Sequence, residues 1–213
     1  MEASFWLERW TNNQIGWHES EFNPLLTQHF ATLQLPPRAR VFVPLCGKTR
    51  DIAWLLQQGR RIAGSELSEL AVQQLFEELG VHPSVTANGR LRHYAAEGID
   101  IFTGDFFDLD VRQLGAIDAI YDRAALVALP PDMRARYASH LVALTQAAPQ
   151  LLVTFDYDQH LMPGPPHAVP AAELWLHYGA RYRLELLAAP AVAGGLKGLA
   201  PAHEMVWLLQ ART

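Results

Sequence analysis

The sequence predicts an α/β protein built on a mostly parallel sheet with helices on both faces. Three observations lead there. Short apolar runs recur at 41–45, 61–65, 99–103, 116–121 and 151–156, punctuated by Gly, Pro or Asp. Stretches with helical spacing fall between several of them, and strands alternating with helices imply right-handed crossovers and parallel pairing. The first run, in "VFVPLCGKT" (residues 41–49), opens directly into a Gly-containing loop followed by a helical pattern.

Taken in order, residues 1–35 are rich in aromatic side chains and read as mostly helical up to Pro36-Pro37. The run 41–45 is a buried strand. In 49–58, Ile52, Leu55 and Leu56 share one side of a helix that Gly59 closes. A second strand at 61–65 is followed by a helix at 70–79, stopped by Gly80. The third strand lies at 99–103, the fourth at 116–121 and the fifth at 151–156, with a helix at 133–147 before the last. Segments 182–187 and 205–209 are the final two strands. No helix is expected between them, so they pair as an antiparallel hairpin at one edge. The whole of 1–213 is read as a single domain, with 1–35 as an N-terminal cover.

The bulk properties exclude several function classes. Apolar residues make up 50% of the 213, enough for a continuous core. A net charge of -5 argues against an electrostatic nucleic-acid binder. Cys46 is the one cysteine, so no intrachain disulfide forms, which suits a cytoplasmic protein. The N-terminal "MEASFWLERW" does not read as a signal peptide, and no window reaches the roughly 18 apolar residues of a membrane helix. A monomer is expected, with no nucleic-acid or membrane partner.

In open α/β sheets ligands bind beyond the C-terminal ends of the strands, which directs attention to 45–47, Ser65 and Glu66, 104–107, Asp122 and Arg123, and 156–166. Gly-Lys-Thr at 47–49 resembles a phosphate loop, but that pattern needs a glycine where Phe42 stands, so a triphosphate is disfavoured. Glu66 ends the second strand, where an acid accepts the hydroxyls of an adenosine ribose. The first loop has one glycine rather than three, which disfavours a pyrophosphate. An adenosine without phosphates fits better, and S-adenosyl-L-methionine is the common case. The alternative for Glu66 is a solvated helix start. Asp105 and Phe106 offer an acid and a ring to an adenine, or Asp105 is an ordinary cap. Arg123 is placed to pair with a carboxylate of cofactor or substrate, or with Asp122 or Asp105. Trp6, Trp10 and Trp17 either anchor a core or close over a ligand. Cys46 reads as a buried inert thiol. The nine histidines show no metal spacing, His160 and His167 included, and no metal is expected.

Together the stretches "FWLERW…GWHE", "VFVPLCGKTRDIAWL", "GSELSELAVQQLF", "FFDL", "IYDRAALVALPPDMRARYA" and "FDYD…PGPPHAVP" resemble the thiopurine S-methyltransferase family, in its order and over nearly the whole chain. The resemblance implies a class I methyltransferase (Rossmann-like) fold with a seven-stranded sheet and an N-terminal helical cover. It implies cofactor contacts at Trp10, Leu45, Glu66 and Arg123, with Asp105 and Phe106 holding the adenine. Trp17 falls where the family places an aromatic residue near the substrate. The resemblance fades after Arg181: where the family often carries arginine, this chain has "AVAGGLKGLAPAHE", with Lys197 as its cation.

The function expected is S-methylation of small aromatic or heterocyclic thiols such as thiopurines, with selenium and tellurium compounds as related soft nucleophiles. The sulfur attacks the methyl group in line, and the protein mainly supplies alignment. No catalytic base is assigned; Asp156 is the nearest candidate. The alternatives are a non-catalytic module that binds S-adenosylmethionine or a metalloid, a nicotinamide-dependent reductase, and a methyltransferase acting on macromolecules.

Overall fold

The computed structural model describes residues 3–212 and divides into two compact units, with the division between Ala119 and Ile120. The first unit contains α1 (Ala3–Thr11), α2 (Pro24–His29), β1 (Arg40–Val43), α3 (Arg50–Gln57), β2 (Arg61–Glu66), α4 (Glu69–Leu79), β3 (Ser84–Asn88), β4 (Leu91–Ala96), β5 (Ile99–Thr103) and the short α5 (Val111–Leu114). Its strands are ordered β3-β4-β5-β2-β1. β1, β2 and β5 run parallel, whereas β4 pairs antiparallel with both β3 and β5.

The parallel strands are the ones legible as unbroken apolar runs, because both of their faces are covered. Val41, Phe42 and Val43 are buried in β1, and Ile62 and Ala63 in β2. Helix α3 starts where Thr49 accepts the N–H of Asp51 at 3.3 Å, and α4 where Ser68 accepts that of Ala71 at 3.2 Å. α4 packs on β2 and β5, and α1 on α4.

The second unit contains β6 (Ala119–Arg123), α6 (Pro131–Leu144), β7 (Gln150–Tyr157), α7 (Ala171–Tyr178), β8 (Tyr182–Ala188) and β9 (Ala202–Ala211). The order is β6-β7-β9-β8, with β6 and β7 parallel. β9 runs antiparallel to both β7 and β8, so the expected terminal hairpin forms.

Among the described residues nine strands are present where seven were expected. The two additional ones form the β3–β4 hairpin, which pairs Asn88 with Leu91 and turns at Gly89-Arg90, with Gly89 at φ 65°. Glycine at the first position of a two-residue turn is a hairpin signal, yet every side chain of β3 before Asn88 is exposed, so no apolar alternation marks the strand. Helix α7 also escaped the periodicity, because Trp175 and Leu176 point to solvent and blur its stripe.

The segment before β1 divides in two. Residues 12–23 between α1 and α2 are not helical, and most are exposed. By contrast Leu25, Leu26, Phe30 and Leu33 are core. Asn23 anchors them: its N–H donates to Asp51 Oδ1 at 2.7 Å, and its Oδ1 caps α2 by accepting the N–H of Leu25 at 2.8 Å. A cover can therefore consist only of the part before Asn23.

Candidate active site

In the first unit, β1 opens into Leu45-Cys46-Gly47. Leu45 and Gly47 both take left-handed backbone, at φ 46° and 51°. That conformation costs a leucine more than a glycine, so the turn needs external support, and β2 supplies it. The N–H of Cys46 donates to Ser65 O at 2.9 Å. Leu45 N–H donates to Ser65 Oγ at 3.3 Å, and Gly47 N–H donates to Glu66 Oε2 at 2.8 Å. The second oxygen of Glu66 accepts the N–H of Ser68 at 2.8 Å.

Glu66 is thus a buried carboxylate at the C-terminal end of a parallel strand. Burial pushes its carboxyl upward, while the N–H groups of Ser68, Gly47 and Leu67 hold it down. An ionised carboxylate has about four acceptor sites; Ser68, Gly47 and Leu67 supply three N–H groups to it.

Trp10 lies against this loop. A Cβ on Gly47 would sit 3.0 Å from Trp10 Cζ2, so a side chain there would displace the indole. Trp10 is buried, and Trp17 meets both Trp10 and Trp6 edge-on, with ring centroids at 6.0 and 5.2 Å. Cys46 is inert by environment: burial and the Glu66 charge push its thiol well above its usual value. Its Sγ would lie 3.1 Å from a Cβ on Gly64 of β2, so the thiol fills space that the glycine leaves.

At the end of β5, Asp105 accepts the N–H of Phe107 at 2.9 Å and starts the 3-10 turn Phe106–Asp108. Asp105 thus caps this turn, and Phe106 within it is buried.

In the second unit, Arg123 is the last residue of β6. Asp122, fully buried beside it, accepts the Tyr137 hydroxyl at 2.7 Å and the Leu126 N–H at 3.1 Å. Burial pushes its carboxyl up to about 6. Asp156 lies on β7 opposite His203 of β9 and is exposed.

Beyond β7, the loop containing "MPGPPH" is braced by side chains. The Tyr157 hydroxyl donates to Pro166 O at 2.7 Å, and Gln159 Nε2 donates to Met162 O at 2.6 Å. Gln159 Oε1 accepts the N–H of Ala168 at 2.8 Å. Buried Arg134 donates to Ala168 O at 3.1 Å and pairs with Glu173 at 2.7 Å. His167 N–H donates to Val127 O at 2.7 Å, joining this loop to the turn after β6.

Sequence reading missed the Gly47–Glu66 link and the part played by Asp122. The signal for the second was an acid closing an apolar strand, "AIYD". Among the described residues, no group of three His, Cys, Asp or Glu side chains is placed to hold a metal ion.

The donor set of the first unit fits an adenosyl group. It offers a buried carboxylate at the position that takes ribose hydroxyls, and one glycine rather than a glycine-rich phosphate nest. Known structures similar to this chain in fold are methyltransferases. A Burkholderia thailandensis 1,6-didemethyltoxoflavin-N1-methyltransferase, solved with bound 1,6-didemethyltoxoflavin and S-adenosylhomocysteine, aligns with a TM-score of 0.66 at 19% identity, over 99% of this chain and 87% of the other. Magnesium protoporphyrin IX methyltransferase from Synechocystis, with bound S-adenosylhomocysteine, gives 0.62 at 15% identity, over 98% and 100%. The fold is that of the class I, S-adenosylmethionine-dependent methyltransferases.

Sequence comparison narrows the class. The profile described as Thiopurine S-methyltransferase (TPMT) matches residues 1–210. The thiopurine S-methyltransferase of Xanthobacter autotrophicus is 58% identical over 211 residues, 99% of each chain. That of Teredinibacter turnerae is 53% identical over 209 residues, 98% of this chain and 97% of the other. The chain belongs to the thiopurine S-methyltransferase family and is an S-adenosyl-L-methionine-dependent methyltransferase.

Proposed function

We propose that this enzyme methylates the sulfur of small aromatic and heterocyclic thiols, thiopurines among them. The observation that carries the reading is the buried Glu66 carboxylate tied to Gly47, in a chain that matches the family over residues 1–210. Glu66 would hold the ribose. Leu45 would offer backbone at the turn, and Trp10 would cover it. The turn that Asp105 caps, with Phe106, would face the adenine. Arg123 would meet a carboxylate of the cofactor or the substrate, and Trp17 would lie near the substrate ring. Bound there, the cofactor supplies an electrophilic methyl group on a positively charged sulfur.

The protein's own work is orientation and exclusion of water, which contribute several kcal/mol when reacting groups are held at near-attack distance. Heterocyclic thiols are acidic enough to ionise in water, so a strong base is dispensable. Asp156, exposed on β7, is at most an auxiliary acceptor. Selenium and tellurium compounds belong to the same class of soft nucleophile and fall within the proposal.

The family match crosses both compact units, which supports one working domain over 1–213. The proposal includes a cytoplasmic monomer, checked by fractionation and by light scattering.

The deciding experiment presents methyl-labelled cofactor with 6-mercaptopurine, thiophenols, selenite and tellurite. Labelled methyl sulfides are expected from the thiols. A protein that binds S-adenosylhomocysteine yet labels no thiol would overturn the reading.

A further inference from the structure

We infer that Asp122 is a positioning residue for this methyltransferase: its buried carboxylate holds the turn after β6, and through it Arg123 and the loop after β7, in their working arrangement. The inference rests on the proposed cofactor contact of Arg123.

The carboxylate sits one residue before Arg123 and has no exposed surface. Its Oδ1 accepts the N–H of Leu126 at 3.1 Å, and the backbone of Ala125 also donates to it. Its Oδ2 accepts the hydroxyl of Tyr137 from α6 at 2.7 Å. Between Arg123 and these tethered N–H groups lies Ala124, at φ 61°. A non-glycine residue in left-handed backbone persists where its surroundings enforce it, and the two N–H tethers do so here. The turn 126–128 then accepts His167 N–H through Val127 O at 2.7 Å. One buried side chain therefore fixes two segments that lie beyond the C-terminal ends of neighbouring parallel strands, where ligands bind in this fold.

The groups acting on the carboxylate are a phenol on α6, the two backbone N–H groups of its own turn, and Tyr178 of α7, whose buried hydroxyl feels its charge. Arg123 is its neighbour in sequence. A buried anion is costly, and a phenol and two amides compensate it only partly. Nothing in packing requires the charge, because an amide of the same shape fills the same space.

The ionised form accepts both tethers most strongly, so cofactor affinity should weaken as Asp122 protonates, near its value of about 6. S-adenosylhomocysteine carries no group that titrates between pH 5 and 8, so calorimetry with it over that range reads the protein alone. Glu66 contributes its own acid limb, common to every variant compared. Arg123→Ala should weaken binding roughly tenfold. Asp122→Asn should bind roughly tenfold more weakly than wild type at pH 8 and lose the limb near pH 6. Tyr137→Phe removes the hydrogen bond that favours the ionised form, so the limb should move to higher pH.

Wild-type affinity at pH 8 in Asp122→Asn, with Arg123→Ala weakened, would overturn the positioning role alone. Unchanged affinity in Arg123→Ala would remove the reading of Arg123 and this inference with it. Should Asp122→Asn fail to fold, Tyr137→Phe still decides: a shifted limb supports the role and an unmoved one refutes it. None of these outcomes depends on which thiol is methylated.

Discussion

The backbone N–H of Gly47 donates to Glu66 Oε2 at 2.8 Å, across 19 residues of sequence. The loop that follows the first strand and the acid that ends the second are therefore one structural unit. Displacing either disturbs the other.

Glu66→Ala removes both the expected ribose acceptor and the anchor of Gly47. Hydrogen bonds to charged groups contribute about 1.5–3 kcal/mol each, so affinity for S-adenosylhomocysteine should fall by an order of magnitude or more. The sheet should survive, since the strands bury apolar side chains independently of Glu66. Calorimetry finding wild-type affinity in this variant would refute the assignment.

Asp122 should lower stability at neutral pH. Its folded-state value of about 6 lies above the ordinary 3.8, so the folded protein binds the proton more tightly than the unfolded chain does. The stabilisation from that proton is fully present below about pH 4 and is lost as pH rises through about 6. The shift corresponds to about 2–3 kcal/mol. Asp122→Asn carries no such charge, so its melting temperature should gain on the wild type as pH rises from 4 to 7. A gap that stays constant over that window would show that the carboxylate is not perturbed as described.

Cys46→Ala should keep most of the turnover. The thiol is buried and pushed far from ionisation, and a thiol rather than a thiolate is a poor nucleophile. The lost packing against Gly64 should cost about 1 kcal/mol. An inactive variant with a normal melting transition would give the sulfur a chemical role after all.

The part of the N-terminal segment before Asn23 should behave as a lid. Residues 12–22 are mostly exposed, while Trp10 rests on Gly47. Amide exchange across residues 5–22 should be fast without ligand and slow with S-adenosylhomocysteine, as for segments that close over a bound ligand. Strand β1 should be protected in both states. Removing residues 1–20 should abolish turnover and leave a folded protein, because the buried Leu25, Leu26 and Phe30 remain. Equal exchange in both states, or a truncated chain that does not fold, would make the segment part of the core.

By itself the sequence determined the parallel framework, the antiparallel ending and the position of Glu66. Strands covered on both faces appear as unbroken apolar runs, and an acid closing such a run stands out against them. The exposed hairpin β3–β4 did not register, since a solvated strand has no apolar alternation to read. Only the tertiary structure decided what each polar group does. Asp105 became a cap through its neighbour Phe107. Asn23 joined the core through Asp51, 28 residues away, and Asp122 acquired its partner Tyr137 from a helix 15 residues on. Hydrophobic burial is a property that each segment carries in its own composition, whereas a buried polar side chain takes its role from the partner that folding brings to it.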